Sequence, residues 1–483
     1  MYLPRSFYSD LGDVEVIERD GILHLFHLVL PNRDLIAHAI SRDGLSWKAC
    51  APAIRTGDPG EMDDDMIRTI SVTKRDDLYY MLYTATSRQE AGRVERTGLA
   101  ISKDLYSWEK YPERIVAQAD PKYYETELSK TRAIAFRDPK PLEVDGKYYC
   151  TVCARAALGP RFRKGCAALM VSDDLIHWKA KAPLFMPGLF DEVECPQLYR
   201  IGEYFYLFGS IIEEQTQRYW ISKNIDGPFY TPSNSQLFPV HSHYAGRLCR
   251  FDGKDIFACW TSCIQDGDHP FGLRTVLGEP IRYVPSILEV HQNPDGTLHM
   301  ASWQGWDNYQ KKKTPLTDLQ WIWGNISGEL KQNQNNLTLS SQEGFSLYAD
   351  SENHESFTLN GKLKLSTGEA GLFFRGDDQA GGYFIRFRPA EYRAALIRHT
   401  NHPEQDRFCY QVMQESPCSA LDRWVPFQLR SIGAEIEFSL DGHILFSTVS
   451  STRLSGRIGC YAICGEFLLS DLELISMRQP ENQ

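Results

Sequence analysis

The chain has no basic block, no long apolar run and no metal-type cysteine pattern, and each absence removes a class of function. Lys and Arg total 52 against 63 Asp and Glu, a formal net charge of −11 over 483 residues. With no basic stripe to displace counterions from a phosphate backbone, nucleic acid is not expected as a partner. No stretch approaches the roughly 18 apolar residues that a membrane helix needs, so no membrane partner is expected either. The opening "MYLPRSFYSDLGDVEV" lacks the basic region and apolar core of a secretion signal, and a cytoplasmic location is expected. Twelve cysteines in so long a chain do not make a disulfide scaffold; most sit in strand-like runs such as "KYYCTVCARA" and are expected to be reduced and buried. Cys150 and Cys153 form a C-x-x-C, but no second pair or histidine cluster follows at zinc spacing, so no metal and no cofactor is expected.

Helical periodicity is also scarce, and what fills its place is a repeat. Five segments share a turn pair followed by an aromatic or aliphatic strand: "RDGILHLF", "RDDLYYML", "VDGKYYCT", "IGEYFYLF" and "FDGKDIFACW". Their turn positions, Gly21, Asp77, Gly146, Gly202 and Gly253, are separated by 56, 69, 56 and 51 residues, each long enough for a four-stranded sheet with loops. A second motif follows in step: "ISRDGLSW", "ISKDLYSW" and "VSDDLIHW" end at Trp47, Trp108 and Trp178, and "ISKNIDGPF" from Ile221 is a degraded copy. Each reads as a strand end, an Asp-containing turn and an aromatic that plugs the gap between neighbouring sheets. Two motifs in fixed order favour radial repetition over a lone sandwich, and the fold class is all-β, a five-bladed β-propeller followed by a C-terminal β-sandwich. Residues 1–305 are assigned to the propeller, the polar 306–345 to a linker, and the alternating strands of 346–478 to the sandwich, expected to act as structural support.

Counting back from the turns finds carboxylates at a shared address. Asp13, Asp138 and Glu194 each lie eight residues before Gly21, Gly146 and Gly202, while the other two blades carry Thr69 and Ala245 there. In a propeller the first strand of each blade lines the central channel, so equivalent positions face one another. Acids converging in a funnel repel and desolvate one another, which splits their pKa values, and one then stays protonated near neutrality. Glycoside cleavage needs such a set: one carboxyl protonates the leaving oxygen, another attacks the anomeric carbon or activates water. Acids that merely cap or salt-bridge strand ends are the bland alternative.

The residues also carry a resemblance. "FRDPK" (136–140) and "VECPQLY" (193–199) resemble the Arg-Asp-Pro and Glu-Cys-Pro motifs of glycoside hydrolase family 32, the β-fructofuranosidases, inulinases and levanases. The resemblance implies a propeller with a C-terminal sandwich, Asp138 as transition-state stabiliser, Arg137 as a ligand of sugar hydroxyls, Glu194 as general acid/base and Cys195 as a structural neighbour. The family's Asn-Asp-Pro-Asn-Gly run is replaced here by "LGDVEV", so Asp13 is assigned as nucleophile by spacing, with Asp10 as a competitor of the wrong strand parity. His38, in "IAHAIS", resembles a histidine found there in the family, and is a substrate contact or a core residue. Arg247, in "HYAGR", stands at channel depth as a substrate contact or a salt-bridge partner. Asp63, Asp64 and Asp65 read as a solvated loop.

The implied activity is that of a retaining, exo-acting β-fructofuranosidase on small fructose-containing saccharides. Two alternatives stay open: another furanosidase or pyranosidase of the propeller clan, arabinofuranosidase- or xylosidase-like and inverting, or a non-catalytic carbohydrate-binding propeller. Sequence sets no oligomeric state.

Overall fold

A computed structural model of the protein describes residues 1–2, 10–112, 115–239, 243–264, 282–333, 336–402 and 407–481. Five antiparallel sheets stand around one axis, each beginning on the strand nearest it: Asp10–Arg19, Met66–Arg75, Phe136–Val144, Glu194–Ile201 and His243–Phe251. These innermost strands pack side by side in ring order, and Asp10–Arg19 meets both Met66–Arg75 and His243–Phe251, which closes the propeller. No helix among the described residues is long and apolar enough to cross a membrane.

The repeated turns have a local cause. At Asp20-Gly21, Asp145-Gly146 and Asp252-Gly253 both central residues have positive φ, the two-residue hairpin geometry that Asp-Gly accommodates at little steric cost. The second motif is one hydrogen-bond pattern built three times. The Ser41, Ser102 and Ser172 hydroxyls accept from the backbone three residues on, while Asp43, Asp104 and Asp174 each accept from two further N–H groups. That turn delivers the tryptophan to the seam between blades, where Trp108 meets Phe26 edge-on across blades one and two.

From Gln310 to Met477 the strands form one sheet that folds over on itself, sandwich-like, around a core that includes Phe374, Phe387, Phe438 and Phe467. Residues 306–345 are not the linker the composition suggested. Strands Gln310–Thr314, Gln320–Gly324, Glu329–Asn333 and Asn336–Ala349 lie in this stretch and all pair within the C-terminal sheet. Polarity misled because it belongs to the wet face: Leu337, Leu339 and Ser341 are buried while Thr338 and Ser340 between them are not, the period of a one-sided strand. Blade five is stitched to this sheet by parallel pairing of Cys263 and Ile264 with Val449 and Ser450.

Candidate active site

All five innermost strands break register at the same depth: between Leu11 and Val14, Arg68 and Ile70, Arg137 and Lys140, Glu194 and Gln197, and Tyr244 and Arg247. A bulge of this kind kinks the strand and re-aims a side chain, here at the axis. Asp138, Cys195 and Ala245 take the left-handed conformation at their bulges, with φ of 63°, 47° and 50°. Against this ruler Glu194 lies one residue before its bulge, in register with Arg137 and Tyr244 rather than with Asp138. The equal count of eight arises because blade four turns on Gly202-Glu203, one step out of phase with Asp145-Gly146.

The bulges open into a cavity of about 400 Å³ whose lining includes Asp13, Thr69, Arg137, Glu194, Tyr244 and Trp260. Asp13 is held by neutral donors: the Thr69 hydroxyl gives a short hydrogen bond to Oδ2 and the Trp260 indole donates to Oδ1 at 3.2 Å. Asp138 is sealed below, 1% exposed, with a carboxyl oxygen within 4.8 Å of one from Asp13. Its own N–H donates to Thr84 Oγ1 at 3.0 Å and its Oδ2 accepts from the Cys195 N–H at 2.8 Å, while Oδ1 is buried without a hydrogen bond. Burial raises the Asp138 carboxyl above its ordinary range, Arg137 pulls it back, and the Asp13 charge pushes it up again.

Glu194 reaches the cavity with its side chain 23% exposed. Arg137 donates to its Oε1 and the Tyr244 hydroxyl to its Oε2. Burial nonetheless lifts this carboxyl to about 7, with Arg137 opposing and Glu192 and Asp138 adding to the rise. A carboxyl poised there can give a proton and take one back at neutral pH. Arg137 carries several acids at once, pairing with Glu192, Glu194 and, at 3.5 Å, Glu95, so much of its donor capacity is used before any sugar arrives.

Asp13, Asp138 and Cys195 are the group of potential metal ligands among the described residues. Burial, then the two carboxylates, holds the Cys195 thiol far above its usual range, so a neutral sulfur sits within 4.8 Å of both acids. Cys150 and Cys153 are buried free thiols.

Other expected residues lie elsewhere. His38 is 2% exposed on the third strand of blade one, its Nε2 2.9 Å from His24 Nδ1, and outside the cavity lining. Arg247 is fully buried, donating to the Cys195 and Pro196 carbonyls at 2.9 and 3.3 Å, again outside the lining. The substrate-contact reading therefore gives way to the other alternative in each case, a core residue for His38 and a salt-bridge partner for Arg247, 3.5 Å from Glu15: channel depth in sequence does not separate the cavity floor from the layer under it. Asp10 accepts from the Leu11 and Arg282 N–H groups and does not line the cavity. Asp63 is not solvated; it is 1% exposed and bonds Lys110 and Tyr83, a staple for its loop. Sequence reasoning missed Tyr244, Trp260, Glu95 and Glu192. Aligning blades on the bulge would have found Tyr244, which takes the place in blade five that Glu194 takes in blade four.

The model of the glycosyl hydrolases family 32 N-terminal domain matches residues 15–268, beginning two residues after Asp13. Sucrose-6-phosphate hydrolase from Bacillus subtilis (strain 168) is 30% identical over 171 residues, which span 34% of this chain and 32% of that relative. An insoluble isoenzyme of beta-fructofuranosidase from Arabidopsis thaliana is 26% identical over 212 residues, 41% of this chain and 34% of the relative. The chain thus spans about a third of the length of each of these curated relatives. Among solved structures, sucrose-6-phosphate hydrolase from Lactobacillus gasseri is similar with a TM-score of 0.72 at 20% identity, over 98% of this chain and 91% of that one. Fructan 1-exohydrolase IIa from Cichorium intybus gives 0.70 at 16% identity, over 100% and 97%. At such identities these two structures speak to the fold, and they share it across both the propeller and the C-terminal sheet. With a family match running over more than half of the chain and taking in both FRDPK and VECPQLY, this protein belongs to glycosyl hydrolase family 32.

Proposed function

We propose that the protein is a retaining, exo-acting β-fructofuranosidase acting on small fructose-containing saccharides. The observation that carries this reading is the contrast inside one cavity between Asp13, held by neutral donors, and Glu194, lifted to about 7. Two carboxyl groups in environments this different divide naturally into nucleophile and acid. Glu194 protonates the glycosidic oxygen as the Asp13 carboxylate attacks the anomeric carbon; the carbon–oxygen bond breaks, the leaving sugar departs as an alcohol, and an ester to Asp13 forms. Glu194, now a carboxylate, takes a proton from water, whose oxygen attacks the same carbon and releases Asp13. Asp138 acts on the developing positive charge from beneath Asp13, through the field of its buried carboxyl.

A closed floor supports exo action. Under the cavity, Lys140 and Arg247 gather on Glu15 at full or near-full burial, so a chain cannot thread the channel, in keeping with entry of a terminal unit. Turnover of sucrose and of short inulin and levan oligosaccharides, set against aryl arabinofuranoside and xyloside, tests the substrate class. Release of single fructose units from the first two groups is expected. Exclusive turnover of the aryl pentosides would move the protein to the clan alternative, and NMR of the first-formed anomer would show inversion if Asp13 activates water instead of attacking.

A further inference from the structure

We propose that the cleft between blades four and five is a second binding site, for a neutral oligosaccharide, separate from the active-site cavity. It exists because one seam of the propeller lacks a plug. The end of the third strand pairs with the returning chain at one equivalent position per blade: Ile40 with Lys48, Ile101 with Glu109, Val171 with Lys179, Ile221 with Tyr230 and Gln292 with Leu298. One residue earlier the returning chains read Trp47, Trp108, Trp178, Phe229 and Thr297. The first four pack against the neighbouring blade. Trp47 shares a core with Phe251 and Ile256 of blade five, Trp108 meets Phe26, Trp178 packs beside Tyr80 and Leu82, and the Phe229 ring lies 6.3 Å from that of Phe185. Thr297 is too small to do the same. Its hydroxyl turns back on its own loop, donating to Asp295 Oδ1 at 2.6 Å and accepting from Asn293 Nδ2 at 2.8 Å, and the seam stays open as a cleft of about 500 Å³.

The lining of this cleft suits a sugar. Tyr230 is 66% exposed, and Tyr204 lies against Gly296, where a Cβ would come within 3.0 Å of its ring. Tyrosine rings offer flat apolar faces to the C–H side of a sugar ring and a hydroxyl at their tips. Asn224 and Ser233 add an amide and a hydroxyl, and the charged residues of the lining are Lys223 and Asp295, one of each sign, so no net charge selects an ionic ligand. An apolar plug from a partner would strip water from these polar groups without replacing its hydrogen bonds, whereas the hydroxyls of a saccharide replace them. The cleft is also remote from the chemistry. Tyr204 pairs with Ile201 and Ser210 with Glu194, so cleft and catalytic acid stand at opposite ends of one strand pair, roughly 20 Å apart along it. A short saccharide held here does not touch the cavity.

Hydrogen-exchange mass spectrometry on the full chain carrying Glu194→Gln, in which slow turnover spares the ligand, tests this with 1-kestose, maltotriose and xylotriose as separate probes. At least one probe is expected to slow exchange about three-fold or more in peptides spanning residues 221–233. Tyr230→Ala should remove that protection with little change in melting temperature, because the ring it deletes is mostly exposed. Thr297→Trp, which supplies the plug that the other four seams have, should remove it too, and protection of peptides around Asp13 by 1-kestose should persist in both variants. Unaltered exchange in 221–233 with all three probes, or protection there that survives Tyr230→Ala, would overturn the inference. Protection around Asp13 alone would defeat this inference and leave the hydrolase reading intact. Protection in 221–233 with no fructoside cleaved by the unsubstituted chain would do the reverse.

Discussion

Two rings of side chains, two residues apart on the same five strands, behave in opposite ways. The upper ring holds Asp13, Thr69, Asp138, Cys195 and Ala245, and the lower holds Glu15, Ser71, Lys140, Gln197 and Arg247. Because strand side chains repeat every second residue, both rings face the axis. In the lower one, opposite charges meet: Lys140 pairs with one oxygen of Glu15, Arg247 approaches the other at 3.5 Å, and Gln197 closes on the backbone of Leu248 at 2.9 Å through both ends of its amide. In the upper one, two acids crowd within 4.8 Å; Arg137 stands 3.6 Å from Asp138 while also serving three glutamates, and Asp13 is hydrogen-bonded by the neutral Thr69 and Trp260. Two residues along the strand thus separate a sealed layer whose charges are paired, although Glu15 Oε2, Ser71 Oγ and Arg247 Nε are buried in it without a hydrogen bond, from an acid-rich layer beside the cavity. Charge pairing, more than residue type, is what distinguishes the two rings.

If the comparison holds, changes in the upper ring should cost turnover and those in the lower ring stability. The largest effect is expected for Asp13→Asn, which keeps an acceptor oxygen for the Trp260 indole, turns the Thr69 hydroxyl from donor to acceptor and removes the nucleophile: kcat should fall ~10⁴–10⁶-fold, as when a covalent nucleophile is removed, with little change in melting temperature. Glu194→Gln should slow turnover by ~10²–10⁴-fold on a fructoside with a poor leaving group. The loss should be smaller on an activated aryl fructoside, and the fall in wild-type activity above pH about 7 should vanish with the titrating group. Equal losses on both substrates would argue against an acid role. In the lower ring, Glu15→Leu strands Lys140 and Arg247 in the interior and should destabilise folding by ~3–5 kcal/mol in denaturant titrations. The kcat of the folded fraction should change far less.

The smallest effect sharpens the same contrast through pH. Folding raises the Glu194 carboxyl from 4.5 to about 7, so within that window the native state keeps a proton that the unfolded chain has released. Stability contributed by this group therefore falls as pH climbs from about 4.5 to about 7, the opposite of a salt-bridged acid. Glu194→Gln should flatten that part of the pH–stability curve, whereas Glu15→Leu should leave it in place.

The propeller was legible because its repeats are local: Asp-Gly turns and Ser-x-Asp caps impose the same hydrogen bonds wherever they occur, so the sequence has to repeat them. The site was legible in part. Asp13 and Asp138 follow from strand phase, and Glu194 from its motif, but the count that joined all three was aided by a turn shifted one residue in blade four. Bulges are backbone events that composition does not mark, which is why Tyr244 escaped notice. His38 and Arg247 were misplaced for a related reason, since strand position gives a direction and a rough depth but not which layer the cavity reaches. The supposed linker failed because an exposed edge hairpin, with one dry face and one wet, reads as polar when averaged along the chain.

The central claim is that Asp13, in the upper ring, forms a bond to the sugar. Its most direct test is rapid-quench peptide mapping by mass spectrometry of Glu194→Gln turning over an activated aryl fructoside, in which loss of the base slows hydrolysis of the ester. The account predicts one fructosyl unit on the peptide that contains Asp13, absent from Asp13→Asn. A fructosyl adduct on Asp10 or Asp138, or product of inverted configuration with no adduct at all, would contradict it.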